Sequence, residues 1–290
     1  MRGPTGLPFS KGLMSQSIMA VGIAPGRAYE IAEEVESALP AERIDSGDLR
    51  ALVERVLGQQ EGATAVERYR RWQALAAMDR PLVILLGGTA GSGKSTVASA
   101  LGGRLAITRS TSTDMIRHIL RTFFAADVMP DVHVSSFEAR RAVTSLVAPG
   151  DDADLLGFRV QAEHVGSAVR AIVRRAIDER TPLILEGVHL VPGVLPPELC
   201  ERALVVHAIL AVEDEEVHRS HFAARDQAEQ RGPVDRYLEQ LPTIRKLQSY
   251  LVARAADEGL PVVTQVSIDD AVQELLGIVL DAVTRAAAPG

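Results

Sequence analysis

The chain contains very little cysteine and few aromatic residues. Cys200 is the only cysteine among 290 residues, which excludes an internal disulfide and a cysteine metal cluster. A single cysteine is what we expect of a protein from a reducing cytoplasm. Aromatic residues make up 4% of the chain and hydrophobic residues 47%, so the sequence predicts a sizeable core built mainly from Ala, Val and Leu.

An excess of positive charge and a long apolar run are also missing. The formal net charge of −7 argues against a general nucleic-acid binder, which usually carries a basic surface. No apolar stretch approaches the roughly 18–20 residues that a membrane helix needs. Residues 1–11 contain Pro4 and Pro8 where a signal peptide would have its apolar segment. We therefore expect a soluble protein that binds neither nucleic acid nor a membrane, and that could form a homo-oligomer.

Two regions of the chain differ in their pattern. The first predicts only helices, over 12–20, 27–39, 47–57 and 63–77, with Ser46 as the N-cap of the third. The run Asp79-Arg80-Pro81 then breaks the helical pattern, which places a domain boundary near residue 76. Domains of 1–76 and 77–290 are therefore expected.

The second region alternates short apolar runs with long helical patterns. The runs predict strands at 82–86, 183–185, 203–211 and 261–266, with 105–111 as a weaker fifth. The helical patterns cover 95–105, 158–179, 213–230 and 268–287. Such alternation predicts an α/β fold in which a five-stranded parallel sheet is covered by helices.

A glycine-rich segment follows the first apolar run directly. Gly88, Gly93, Lys94 and Ser95 have the Walker A spacing, and strand, loop and helix occur in the order that this motif requires. Lys94 can neutralise the β- and γ-phosphates of ATP, while the Ser95 hydroxyl can bind Mg²⁺. A chance glycine turn is the alternative. The predicted nucleotide-binding residues are Gly88, Ala90, Gly91, Ser92, Gly93, Lys94, Ser95 and Thr96.

Two acidic residues follow other predicted strands. Glu186 ends the run 183–185 and is predicted to hold Mg²⁺ or polarise a water bound to it, unless it merely caps a loop. Asp114 follows the weak fifth strand, where small P-loop kinases face their acceptor, and is predicted to be a general base. Arg117 lies three residues further on the same helix face, and its planar guanidinium suits a phosphate or carboxylate of the acceptor. The alternative is a helix N-cap at Thr113 or Asp114 with a surface arginine.

Histidines and arginines cluster after the run 203–211. They predict a mobile lid over about 213–245, in which Arg225 and Arg231 would close on the triphosphate and stabilise charge in the transition state. A solvated helix of mixed charge is the alternative. His221, on the same helix face as His218 and Arg225, is assigned to the acceptor. The further basic residues of this segment are Arg236 and Arg245.

Several of these segments resemble the 2-phosphoglycerate kinase family. The residues that carry the resemblance are 8–12, 28–32, Gly87 to Thr96, Ser112-Thr113-Asp114 with Arg117, 133–139, Glu186 to Gly193, and Ile244-Arg245. The resemblance implies a P-loop kinase with an N-terminal helical region like a truncated ATP cone. It implies transfer of a phosphoryl group from ATP, with Mg²⁺, to the 3-hydroxyl of 2-phosphoglycerate, giving 2,3-bisphosphoglycerate.

The same resemblance implies ligands for an acceptor that bears phosphate and carboxylate groups. These are Arg117, His133, Ser135 and Ser136, while His189 could equally be structural. Two other functions remain open from the sequence. One is a kinase for a different hydroxyl acceptor, such as a sugar acid, a glycerate derivative, a nucleotide sugar or an antibiotic. The other is a non-catalytic ATP-binding regulator.

Overall fold

The computed structural model describes residues 9–40, 44–144, 147–229 and 234–287, without the side chains of 76, 224–229, 234 and 287. The chain divides into two units. The first comprises Met1–Met78, Gly103–Ala106 and Leu276–Gly290, and the second comprises Asp79–Gly102 and Ile107–Leu275.

The residues before Met78 form four helices around an aliphatic core. The helices are α1 (Lys11–Met19), α2 (Pro25–Ser37), α3 (Ser46–Gln60) and α4 (Ala63–Ala76), close to the predicted positions. The prediction of Ser46 as an N-cap was wrong. The Asp45 side chain accepts hydrogen bonds from the amides of Gly47 and Asp48 (2.7 and 2.8 Å), so α3 already begins at Ser46. A relation of this region to the ATP cone stays a prediction.

The second unit contains the five-stranded parallel sheet that the sequence predicts. The strands are β1 (Leu82–Gly87), β2 (Ser110–Ser112), β3 (Leu183–Gly187), β4 (Leu204–Ala211) and β5 (Val262–Thr264). Their order in the sheet is β2-β3-β1-β4-β5, and every pairing is parallel. The carboxyl ends of the strands therefore meet at one edge, which is where ligands bind in open parallel sheets.

The second strand is shorter than its predicted range of 105–111. Leu105 still belongs to the helix that follows β1, and Ala106 has a left-handed φ of 55° that ends this helix. The apolar residues Leu105 and Ile107 are buried without joining the sheet. β2 consists of the polar run Ser110–Ser112, which pairs with the end of β3.

At least one helix follows each strand of the sheet along the chain. The helices are α5 (Lys94–Leu105), α6 (Thr113–Phe123), α7 (Ala153–Asp178), α8 (Pro197–Arg202), α9 (Glu215–Glu229), α10 (Val234–Glu239), α11 (Leu241–Asp257) and α12 (Ile268–Ala287). Two 3-10 helices, Pro130–His133 and Ser136–Ala142, lie between α6 and α7. In the described part of the chain, no helix has both the length and the apolar character that crossing a membrane requires.

Helix α7 begins five residues before the predicted start at residue 158. The Asp152 side chain caps it by accepting from the amides of Asp154 and Leu155 (3.0 and 3.1 Å). Lys246 pairs with the carboxylates of both Asp152 and Asp154 (3.0 and 2.7 Å). Asp152 and Asp154 therefore belong to the start of this helix, where Lys246 neutralises part of their charge.

Candidate active site

The loop between β1 and α5 has the backbone geometry of a phosphate cradle. Gly88, Gly91 and Gly93 have φ values of 148°, 79° and 78°, in the region that favours glycine. A Cβ on Gly91 would also lie 2.6 Å from the Phe222 ring and 2.9 Å from the His218 ring. The Lys94 ammonium donates to the carbonyl oxygen of Thr89 (2.9 Å), so its charge is held inside the loop.

Strand pairing brings Glu186 to this loop. Because β3 lies next to β1 with Leu86 opposite Glu186, both strands end at the same level. The Ser95 hydroxyl at the start of α5 donates to Oε1 of Glu186 (3.0 Å), which is largely buried. A hydroxyl and a carboxylate in contact are hard oxygen ligands that fit Mg²⁺, an ion usually held by one or two protein groups plus phosphates and water. These two residues could therefore hold the ion.

A chain of buried hydrogen bonds fixes the start of α6. The amide nitrogen of Gln161 donates to the carbonyls of Asp131 and Val134, so its oxygen is left to accept from Nε2 of His189 (3.0 Å). Nδ1 of His189 then accepts from the Thr113 hydroxyl (2.8 Å). His189 has no exposed surface and both of its ring nitrogens have partners, so it positions Thr113 and does not reach an acceptor in this structure. The assignment of His189 as an acceptor ligand is corrected accordingly.

Asp114 stands beside Thr113 with its carboxylate exposed. Helix α6 is capped by Ser112, whose hydroxyl accepts from the Met115 amide (3.1 Å), so neither Thr113 nor Asp114 is the N-cap. Partial desolvation acts to raise the pKa of Asp114. The His189 ring, the Arg117 guanidinium and the Lys94 ammonium nearby outweigh that effect and hold its pKa below the ordinary value. The carboxylate is therefore ionised at neutral pH and free to accept a proton.

Arg117 connects Asp114 to the segment that follows α6. Its Nε lies 3.4 Å from Oδ1 of Asp114, and its Nη1 donates to the carbonyls of Val132 and Val134 (3.1 and 3.0 Å). Gln161 holds the Val134 carbonyl from the other side (3.0 Å). The segment 131–134, which we call the acceptor loop, is therefore held to both α6 and α7.

The other predicted acceptor ligands lie on or just after this loop. Nε2 of His133 donates to the carbonyl of Phe124 (2.8 Å). The Ser135 hydroxyl accepts from Arg236 of α10 (3.2 Å), and Arg236 also pairs with buried Glu138. Ser136 begins the second 3-10 helix. Contact of these residues with an acceptor stays a prediction.

Two of the predicted lid residues have contacts that the structure describes. Nδ1 of His221 donates to the carbonyl of Gly91 (2.8 Å), which places this histidine on the phosphate loop and not at the acceptor loop. Arg245 donates to the carbonyls of Val212 and Glu213 just after β4 (3.3 and 2.7 Å). The side chain of Arg225 and the whole of Arg231 lie outside the described residues. Lid closure by these arginines stays a prediction.

Sequence reasoning missed the role of Gln161 and the contacts of His218. A glutamine in the middle of a long helix carries no motif signal. His218 was noticed only for its helix face, yet its Nε2 donates to the carbonyl of Ala90 (2.7 Å).

Buried histidines make the stability of the fold depend on pH. Desolvation lowers the pKa of His189 and of His207 to about 4, from 6.5. The value of 6.5 applies to the unfolded chain and the value of about 4 to the folded chain. At a pH between the two, each histidine is therefore protonated in the unfolded chain and neutral in the folded one. The free energy of unfolding is therefore expected to fall from pH 7 to pH 5 by on the order of 2 kcal/mol per histidine.

Urea unfolding at pH 7 and pH 5 measures this difference. His207→Asn should make the drop smaller, whereas exposed His118→Asn should leave it unchanged. An equal drop in the parent and in His207→Asn would contradict the assignment.

Comparison with known proteins finds relatives along nearly the whole chain. The 2-phosphoglycerate kinase of Methanopyrus kandleri is 34% identical, over 94% of this chain and 84% of the relative. That of Methanothermobacter thermautotrophicus is 32% identical, over 93% and 89%, respectively. That of Thermococcus kodakarensis is 35% identical, over 93% and 92%.

Two further comparisons add little. No protein-family model matches the chain. Among solved structures, shikimate kinase from Acinetobacter baumannii aligns with 74% of this chain and 99% of its own at 14% identity, with a TM-score of 0.39 that is too low to support an argument. The relatives, at 32–35% identity over at least 93% of the chain, are sufficient: this chain belongs to the 2-phosphoglycerate kinase family.

Proposed function

We propose that the chain transfers the γ-phosphoryl group of ATP to the 3-hydroxyl of 2-phosphoglycerate, giving ADP and 2,3-bisphosphoglycerate. The acceptor comes from the names of the relatives. The single structural observation that supports phosphoryl transfer is the contact between Ser95 and Glu186 beside the phosphate loop (3.0 Å). It joins the start of the helix after β1 to the end of β3, where a nucleotide-bound metal ion belongs.

On the nucleotide side, the residues act by charge and position. Ser95 and Glu186 would hold Mg²⁺, which when bound neutralises charge on the β- and γ-phosphates. Lys94 supplies a positive charge from inside the loop, and the amides at the start of α5 would face the phosphates of a bound nucleotide. Phosphoryl transfer requires little covalent chemistry from the protein, so positioned charge supplies most of the rate enhancement.

On the acceptor side, the hydroxyl oxygen attacks the γ-phosphorus as the bond to the bridging oxygen of ADP breaks. Asp114 accepts the proton that the hydroxyl releases. Its lowered pKa keeps it ionised at neutral pH, although it makes the carboxylate a weak base. A weak base is adequate when proton transfer occurs late, as in a loose transition state.

Arg117 would bind an anionic group of the acceptor and hold the acceptor loop in place. Arg117→Ala removes the contacts with the carbonyls of Val132 and Val134, so we expect the KM for 2-phosphoglycerate to rise about tenfold or more. The KM for ATP should change little. Steady-state kinetics with each substrate varied in turn measures both constants. Arg121→Ala, on the exposed side of the same helix, is the matched control and should behave like the parent. An effect confined to ATP would remove Arg117 from the acceptor site.

The direct test is incubation with Mg·ATP and 2-phosphoglycerate, with 3-phosphoglycerate and glycerate as controls. ADP release is followed by a coupled assay, and the product is identified by phosphorus NMR. Formation of 2,3-bisphosphoglycerate that depends on 2-phosphoglycerate would support the proposal. ATP binding without turnover on any of the three acceptors would discard this acceptor and leave the kinase chemistry to be tested with other hydroxyl compounds.

A further inference from the structure

Two histidines of α9 make the same kind of contact with the phosphate loop. Nε2 of His218 lies 2.7 Å from the carbonyl oxygen of Ala90, and Nδ1 of His221 lies 2.8 Å from that of Gly91. A carbonyl oxygen only accepts hydrogen bonds, so both imidazoles donate. Because the histidines are three residues apart, they lie on one face of the helix and reach consecutive peptide groups.

A hydrogen bond that holds a carbonyl group in place also fixes the direction of the N–H group of the next residue. A trans peptide is planar, so its C=O and N–H point in opposite directions. The carbonyls of Ala90 and Gly91 therefore fix the N–H groups of Gly91 and Ser92. The Ser92 amide donates to the carbonyl oxygen of Thr89 (3.3 Å), which also accepts from the Ser92 hydroxyl (3.0 Å) and the Lys94 ammonium (2.9 Å). The Thr89 carbonyl thus holds the Ser92 amide and the Lys94 ammonium together inside the loop.

The loop needs such a restraint because glycine gives it freedom. Gly91 has a φ of 79° and no Cβ, so peptide groups on either side of it can rotate easily. An N–H that has turned away from the phosphates no longer contributes to the cradle. Two donors outside the loop would oppose that rotation.

Packing keeps the donors themselves in place. His218 is fully buried and stacks on Phe222 (centroids 5.4 Å apart), which stacks in turn on Tyr237 of α10 (5.2 Å). Desolvation lowers the pKa of His218, so its imidazole is neutral at physiological pH and carries a single N–H. Because Nε2 donates that proton to Ala90, the tautomer is fixed as well.

We propose that His218 and His221 are positioning residues that hold the phosphate loop in its binding conformation. They keep the Ala90 and Gly91 carbonyls turned toward α9. The amide of Gly91 then faces the opposite way, and the amide of Ser92 stays on the Thr89 carbonyl, to which the Lys94 ammonium also donates. The proposal rests on the proposed function in one respect, that the ligand is a nucleoside triphosphate with its magnesium ion. It assigns His221 to nucleotide binding, whereas the sequence assigned this residue to acceptor binding.

The two histidines donate through different atoms, which allows a test by side-chain length. The amide nitrogen of glutamine matches Nε2 of histidine, and that of asparagine matches Nδ1. His218→Gln and His221→Asn should therefore retain the donor at its place, whereas His218→Asn and His221→Gln should misplace it. Arg219→Gln, on the same helix, is the control because Arg219 pairs with Glu215 and not with the loop.

The measurement is the affinity for magnesium and the non-hydrolysable analogue AMP-PNP, by calorimetry and without any acceptor. We expect the misplaced and alanine variants to bind about 5- to 10-fold more weakly, the value of one hydrogen bond. The matched variants should stay within about 2-fold of the parent, and Arg219→Gln should equal it. In turnover assays the KM for ATP should rise and that for the acceptor should not.

The proposal would be overturned if the alanine variants bound the nucleotide as tightly as the parent. It would also be overturned if matched and misplaced variants of the same thermal stability had equal affinities. An effect confined to the acceptor KM would overturn it as well. If the variants of buried His218 do not fold, the His221 series decides alone, because His221 is partly exposed. If the parent itself does not bind magnesium and AMP-PNP, the kinase proposal fails and with it this inference. If the parent binds and the variants equal it, only the role of the histidines fails.

Discussion

Lys94→Ala is expected to abolish phosphoryl transfer without unfolding the chain. The ammonium of Lys94 donates to the carbonyl of Thr89 (2.9 Å) and stands where the β- and γ-phosphates would lie. Its removal takes away a positive charge from the point at which negative charge develops during transfer. We expect kcat to fall by at least about 10³-fold, in line with the loss of other groups that stabilise this charge. The fold should survive because the side chain is only partly buried and fills no core.

The turnover number and the unfolding temperature should be measured together. Lys246→Ala is the matched control, since Lys246 pairs with Asp152 and Asp154 at the start of α7. We expect this variant to turn over at the parent rate. Substantial turnover in a folded Lys94→Ala variant would show that the loop does not act as a Walker A motif.

Asp114→Asn is expected to lower kcat by roughly 10²–10⁴-fold, the usual contribution of a general base, while nucleotide binding is unchanged. Asparagine keeps the size of the side chain and can still face Arg117, but it cannot take the hydroxyl proton. The carboxylate is exposed and ionised, so its loss should cost little stability. The drop should therefore appear in kcat and not in the affinity for ATP.

Single-turnover rates and calorimetric nucleotide affinity separate these two quantities. Asp178→Asn, which alters a surface carboxylate paired with Arg202, should match the parent in both. An unchanged kcat in Asp114→Asn would refute the role of Asp114 as base. A loss of affinity for ATP instead would assign the residue to the nucleotide side.

Local sequence was sufficient for the features that depend on neighbouring residues. The phosphate loop could be predicted because its glycines, lysine and serine lie within eight positions, directly between an apolar run and a helix. Glu186 could be predicted because a carboxylate ends a run that is apolar on both faces. The parallel sheet followed from alternation alone. Residues close in sequence must also be close in space. The spacing of such residues along the chain therefore determines their relative positions in the fold.

Two predictions from local sequence were wrong because neighbouring residues could take the same structural role. The apolar residues from Leu105 to Ile107 suggested a strand, yet helix α5 extends through Leu105, and the pairing with β3 starts only at Ser110. At the third helix, Ser46 was predicted as the N-cap, but the helix already begins at this residue. The carboxylate of Asp45, one position earlier, accepts from two amides of the first turn and caps the helix instead.

The composition and the local motifs by themselves determined the fold class, the nucleotide loop and the carboxylate beside it. Only the tertiary structure decided what the isolated polar residues do. His189 could be an acceptor ligand or a structural histidine until its partners Thr113 and Gln161, 76 and 28 positions away, were known. His221 was assigned to the acceptor from the sequence, whereas the structure places it beside Gly91, 130 positions earlier in the chain. The physical reason is that a hydrogen bond depends on distance and direction within a few ångströms, and for residues far apart in the chain these are set by the packing of the helices on the sheet.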